Sequence, residues 1–219
     1  VSTLHILQRP SPNFGLRREG LCPSLIVLHY TAMDSAEAAL ERLCTSEFEV
    51  SAHYLICRTG TIYQLVDEDM RAWHAGAGEW AGQQDINSRS IGIELDNDGT
   101  SPFPEPQMAA LEALMSGIMI RWNIPPERVI GHSDMAPGRK VDPGPRFDWM
   151  RLAHMALAAP SGHGSAPQVC TVEAFRARAR AAGYTSETDD ATLLATVRLR
   201  HRPWATGPLS PDDISALTV

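Results

Sequence analysis

Two short apolar runs constrain this chain more than any other feature. Residues 24–30 (Ser-Leu-Ile-Val-Leu-His-Tyr) and 90–95 (Ser-Ile-Gly-Ile-Glu-Leu) read as buried strands, because each is a brief apolar stretch bounded by polar groups. Both carry a side chain that is out of place in such a setting. His29 stands near the end of the first run, and strand ends are where ligand sites form on α/β sheets. Glu94 interrupts the second, where a carboxylate is costly unless paired or functional.

Helical signals separate and follow these strands. Asp34 and Glu37 have capping-box spacing ahead of a helix predicted over residues 36–43. Residues 52–58 and 61–66 flank Thr59-Gly60 and predict a hairpin, and residues 73–84, rich in Gly and Trp, predict a shaped loop. Met108, Leu111, Met115, Ile118 and Trp122 recur at spacings of three and four, one apolar helical face that Pro125-Pro126 terminates. A short strand at 129–130, a Gly- and Pro-rich loop over 131–146 and a helix over 147–157 complete a first domain of residues 1–158. Residues 159–167 have linker composition. Residues 168–219 hold three short helices, a unit too small to stand alone and expected to dock on the first. The fold class is therefore α/β: a central mixed β-sheet flanked by helices, with a small C-terminal helical module.

The net charge of −7 and the pI near 5.6 lack the basic footprint of a nucleic-acid-binding protein. No apolar run reaches the ~18–20 residues that a membrane span needs. Four cysteines, at 22, 44, 57 and 170, are scattered without a Cys-x-x-Cys pair, which excludes a zinc ribbon or a thioredoxin-type motif. Unpaired thiols and the lack of an apolar leader in the first twenty residues point to the cytoplasm. The periplasm is the alternative if a signal or lipoprotein segment has been removed.

His132 follows an apolar pair and a Gly, and Asp142 lies ten residues on. Two His and one carboxylate, with a fourth position left to water, form the ligand set of a catalytic zinc site. The residues alone leave two readings open: His29, His132 and Asp142 hold a metal, or a satisfied core histidine lies beside an ordinary polar loop. Of the nineteen Lys and Arg residues only position 140 is Lys. In an extended segment Lys140 and Asp142 point the same way, and an ammonium there is suited to a developing oxyanion. For Glu94 the alternative to a functional role is an ion pair with Arg89 or Arg139.

Six segments carry a resemblance to a known family. They are Ile26-Val-Leu-His-Tyr-Thr31, Ser51-Ala-His-Tyr-Leu-Ile56, Ala72-Trp-His-Ala-Gly76, the stretch 87–94 (Asn-Ser-Arg-Ser-Ile-Gly-Ile-Glu), Gly131-His-Ser-Asp134 and Gly138-Arg-Lys-Val-Asp-Pro-Gly144. In that order, over about residues 22–150, the chain resembles the zinc-dependent N-acetylmuramoyl-L-alanine amidases of the type-2 amidase family. The resemblance implies a zinc held by His29, His132 and Asp142, with Glu94 as general base toward water and Lys140 as oxyanion partner. It implies substrate contacts from Trp73, His74, Asn87 and Arg139, and a structural role for His53. Phage members and recognition proteins carry Cys where Asp142 stands, and many have Tyr where this chain has Ala52, which favours the recycling branch. More loosely, residues 168–219, with Phe175, Gly183-Tyr184 and the stretch 198–203 (Arg-Leu-Arg-His-Arg-Pro), resemble the helical peptidoglycan-binding-type module of longer amidases.

The implied reaction is hydrolysis of the amide joining the lactyl group of N-acetylmuramic acid to L-alanine, in muropeptides or peptidoglycan fragments during cell-wall recycling. Two other readings compete with it. A non-catalytic peptidoglycan recognition protein would use the same groove without cutting, and the presence of every ligand and catalytic candidate weighs against that. A zinc peptidase cutting within the stem peptide would be separated by the masses of its products.

Overall fold

The computed structural model describes residues 4–162 and 170–217. Along the chain run β1 (Ile6–Gln8), β2 (Phe14–Leu16), β3 (Leu25–Tyr30), α1 (Ala36–Cys44), β4 (Tyr54–Ile56), β5 (Ile62–Gln64), β6 (Met70–Ala72), α2 (Ile86–Arg89), β7 (Ser90–Leu95) and α3 (Glu105–Trp122). β8 (Val129–Gly131), α4 (His132–Met135), α5 (Trp149–His154), α6 (Val172–Ala181), α7 (Asp190–His201) and α8 (Pro211–Ser215) follow. The main sheet has the order β1-β5-β4-β7-β3-β8, and β2 pairs with β6 in a separate two-stranded ribbon. β4, β7, β3 and β8 run parallel, while β4 and β5 form the antiparallel hairpin expected around Gly60. Gly60 has φ of +86° at that turn, a conformation L side chains avoid.

Strand alternation divides the core into two faces. Ile26 and Leu28 of β3 and Ile91, Ile93 and Leu95 of β7 join Met108, Leu111, Met115 and Ile118 of α3 and Leu152 of α5 in one apolar layer. Each fully buried Leu, Ile or Met there contributes about 1.5–3 kcal/mol, so this face supplies much of the stability. On the opposite face Leu25 and Val27 of β3 and Ile130 of β8 meet Phe175 and Ala179 of α6, Leu193 and Val197 of α7, and Ile214 of α8. To that second face β7 offers Ser90, Gly92 and Glu94 instead of apolar side chains. The polar gap so left lies beside His29, the register partner of Glu94 on β3.

The C-terminal helices are tied to the sheet by buried polar bonds as well. Asp134 of α4 accepts from the Gly131 amide (2.8 Å), from Arg200 of α7 (2.9 Å) and from the Tyr184 hydroxyl (2.9 Å). Arg200 also donates to the Val129 carbonyl at 3.1 Å and lies over the Trp149 ring. A buried carboxylate with three donors is satisfied, and it fastens α7 to the helix that begins with His132.

The mixed α/β architecture matches the expectation, with several local corrections. Ser35, not Asp34, caps α1, its side chain accepting from the Ala38 amide at 3.1 Å. The loop predicted over 131–146 opens with the short helix α4, and the helix predicted over 147–157 is helical only at Trp149–His154. β1, β2 and β6 were not predicted; each has three residues and, unlike β4 and β5, no hairpin turn signal beside it. Of the expected linker, residues 163–167 lie outside the described residues. Residues 159–162 lie against their surroundings, with the Ala159 amide on Pro126 and the Gly162 amide on Ala216.

Candidate active site

Parallel register brings the site together. β3 and β7 pair with His29 opposite Glu94, and β3 and β8 pair with Leu28 opposite Gly131. His132, the next residue after Gly131, therefore emerges level with His29. The segment that follows α4 returns Asp142 to the same point, where the Ser133 amide donates to the Asp142 carbonyl at 3.0 Å. His29 Nδ1, His132 Nδ1 and Asp142 Oδ2 converge at 2.9 to 3.0 Å from one another, all three residues buried.

The chemistry of this donor set fits a cation. His132 Nε2 meets the Ala75 carbonyl at 2.8 Å, a contact that only an N–H can make, so in the neutral ring Nδ1 presents a lone pair. Burial, reinforced by His132, pulls the His29 pKa down to about 4, so that ring is neutral near pH 7 as a metal ligand must be. A lone pair and a carboxylate oxygen facing each other at 3.0 Å in an enclosed space call for positive charge between them. All three residues also line the cleft, so the cluster is not closed off from it.

Glu94 has no salt-bridge partner among the described residues, and its Oε2 is enclosed without a hydrogen bond. The expected alternative of a pair with Arg89 or Arg139 is not realised: Arg89 donates to the Gln84 carbonyl, and Arg139 donates to the carbonyls of Ala75 and Ala77. Burial pushes the Glu94 pKa up to about 8, with the Asp142 carboxylate adding to the shift and Lys140 opposing it. An unpartnered carboxyl with such a pKa beside a ligand cluster is suited to proton transfer.

These groups line a cleft of about 430 Å³ together with Trp73, Arg139 and Lys140. Of the residues expected to touch substrate, Trp73 and Arg139 border the cleft. His74 borders it too, but its ring is mainly engaged behind the ligands, 3.0 Å from His29 Nε2 and closely packed on Gly92. A Cβ at position 92 would lie 2.5 Å from His74 Cγ, which explains a glycine in the middle of an interior strand. Asn87 does not line the cleft, contrary to expectation. It is buried beneath the loop, where its Oδ1 accepts from the amides of His74 (3.1 Å) and Ala75 (2.8 Å). His53 is bonded on both sides, accepting from the Gly92 amide and donating to the Met70 carbonyl.

Sequence reading passed over Ser90, Ala75 and Arg17. Ser90 was within reach of the pattern, since it shares a strand face with Gly92 and Glu94 at intervals of two. Ala75 acts through its carbonyl, which no side-chain pattern announces. Arg17 binds the carbonyls of Glu68, Asn87 and Ser90 across sequence separations of 51 to 73 residues, which only the fold reveals.

Comparison with known proteins places similarity over the same region. Residues 19–145 match the family described as N-acetylmuramoyl-L-alanine amidase. The chain is 40% identical to N-acetylmuramoyl-L-alanine amidase AmiD of Escherichia coli (strain K12) over 151 residues, 62% of this chain and 54% of that protein. It thus spans about half the length of that relative. It is 36% identical to 1,6-anhydro-N-acetylmuramyl-L-alanine amidase AmpD of Citrobacter freundii over 171 residues, 70% of this chain and 90% of that one. The solved complex of AmiD from E. coli with the substrate anhydro-N-acetylmuramic acid-L-Ala-D-gamma-Glu-L-Lys superposes with a TM-score of 0.80 at 31% identity, covering 91% of this chain and 89% of the other.

Proposed function

The chain belongs to the N-acetylmuramoyl-L-alanine amidase family, and from that premise we propose that it hydrolyses the amide between the lactyl group of N-acetylmuramic acid and L-alanine in muropeptides. The observation that carries the reading is the meeting of His29, His132 and Asp142 beside an unpartnered Glu94. The donor set suits zinc, and His29, His132 and Asp142 would hold it. When bound, zinc supplies Lewis acidity, making water nucleophilic near neutral pH and polarising the scissile carbonyl.

The chain's own groups supply the rest. Glu94 takes the proton of the attacking water and passes it to the nitrogen of the departing L-alanine, which then leaves as a neutral amine. Lys140, two residues before Asp142 and lining the same cleft, offers its ammonium to the oxyanion that develops on the carbonyl. Trp73 and Arg139 bound the groove in which the sugar and stem peptide lie. Asn87 serves substrate indirectly by holding the loop from which Trp73 and His74 project.

No helix among the described residues is long and apolar enough to cross a membrane. The substrate is a muropeptide or peptidoglycan fragment, including the 1,6-anhydro form in the name of the Citrobacter relative. Four free cysteines favour a reducing compartment, the cytoplasm, with the periplasm as the alternative. Within the expected C-terminal module, α6, α7 and α8 close the second face of the sheet.

The test is the mass of the products formed from a defined anhydro-muropeptide. Release of the intact stem peptide beginning at L-alanine, with the sugar free of all peptide, is the expected result. Cleavage inside the stem peptide, or binding without cleavage, contradicts the proposal.

A further inference from the structure

The protons behind His29 can be placed one at a time. Ser90 Oγ donates its single hydrogen to the Ile86 carbonyl at 2.6 Å, so toward His74 Nε2, 3.1 Å away, it can only accept. His74 Nε2 therefore carries the proton of its ring, and His74 Nδ1 is a lone pair. That lone pair lies 3.0 Å from His29 Nε2, which fills it by donating. His29 is thereby held as the Nε2–H tautomer, and its bare Nδ1 faces His132 and Asp142 at 3.0 and 2.9 Å.

We infer that Ser90 and His74 form a positioning relay that fixes His29 in the tautomer able to bind metal through Nδ1. His132 reaches the same tautomer through the Ala75 carbonyl, whereas His29 reaches it through two side chains. The relay is built into the strand pattern. Ser90, Gly92 and Glu94 share the polar face of β7: Ser90 anchors the His74 ring, Gly92 leaves the space it occupies, and Glu94 works in front of it. Metal-binding histidines generally depend on such a partner on their second nitrogen, and losing it typically weakens metal binding about 10–100-fold. The inference rests on the reading of His29, His132 and Asp142 as metal ligands.

The test uses the full chain with ¹⁵N-labelled histidine. Long-range ¹H–¹⁵N spectra of the metal-free protein at pH 8 report which nitrogen of each ring is protonated, and zinc affinity is measured by chelator competition. The wild type is expected to show Nε2–H at both His29 and His74. Ser90→Ala should release the His74 ring into mixed tautomers and weaken zinc about 10–100-fold. His74→Gln, whose amide oxygen can accept from His29, should retain more zinc affinity than His74→Leu. An Nδ1–H at His29 in the wild type overturns the relay, as does a Ser90→Ala protein with unchanged tautomers and affinity. A wild type that takes up no zinc instead overturns the ligand assignment, and the tautomers distinguish the two failures.

Discussion

His29 and Glu94 are register partners on adjacent parallel strands. Partners in a parallel pair point to the same face, so a metal-ligand candidate and a proton-transfer candidate are fixed side by side by sheet hydrogen bonds rather than by a loop. Gly131 pairs one residue earlier, which brings His132 to the same level from the third strand. The sheet thus fixes the candidates His29 and Glu94, while the third ligand candidate, Asp142, comes from the segment after α4.

The first prediction separates metal binding from chemistry. Glu94→Gln should keep the zinc content of the wild type while losing about 10²–10⁴-fold in kcat, the usual worth of a general base. His29→Ala should lose the metal itself. Metal analysis beside rate measurements decides this, and a Glu94→Gln protein with wild-type turnover excludes the base assignment.

A second prediction follows from the raised pKa of Glu94. At about 8 the carboxyl holds its proton at pH 7 in the metal-free chain. A divalent cation on the neighbouring ligands favours the carboxylate, so zinc uptake at pH 7 should release about one proton from Glu94. Calorimetry in buffers of different ionisation enthalpy counts it. The wild type should release close to one proton more than Glu94→Gln; equal release from both removes Glu94 as its source.

Gly92 gives a third. An added Cβ meets the His74 ring at 2.5 Å with the strand backbone fixed on either side. Gly92→Ala should displace His74 and lower zinc affinity by an order of magnitude or more, without a large change in the cooperativity of unfolding. Wild-type affinity in Gly92→Ala would show that the ring has somewhere else to go.

The fourth concerns the helical module. His201, bonded to Ser161 and Tyr184, is pulled down to a pKa of about 3 by burial and then by Arg200. The unfolded chain takes up a proton at His201 below about 6.5 while the folded chain does not, so stability falls as pH drops through the window from 6.5 to 3. One such histidine costs about 2 kcal/mol at pH 5 relative to pH 8. His53, also brought to about 3 by burial, adds a slope of the same sign. Urea unfolding of His201→Gln at pH 8 and pH 5 should show a smaller acid loss than the wild type; identical losses would place the acid sensitivity elsewhere.

Much of this was legible in the sequence. The two buried strands announced themselves because an apolar run of six residues has few other solutions, and His29 and Glu94 stood out as misplaced within them. The helix carrying Met108, Leu111 and Met115 was equally plain from its period. Asn87 was expected to touch substrate because a motif position shows that a residue matters without showing which way it points; in the fold its side chain is buried against the loop backbone. His74 was assigned to substrate for the same reason, although its ring is bonded chiefly to His29 and Ser90. β2 and β6 lack the turn signal that exposed the equally short β4 and β5, and their pairing depends on residues more than fifty positions apart. The bond from Arg200 to Asp134 spans 66 positions and could not be anticipated from either segment alone.

The most direct test of the account is a zinc titration of the stripped protein. Chelator-treated wild type should be inactive toward an anhydro-muropeptide, and activity should return in proportion to zinc up to one equivalent per chain, releasing stem peptide that begins at L-alanine. Full turnover in protein shown to be free of metal would contradict the assignment of His29, His132 and Asp142, and with it the central claim.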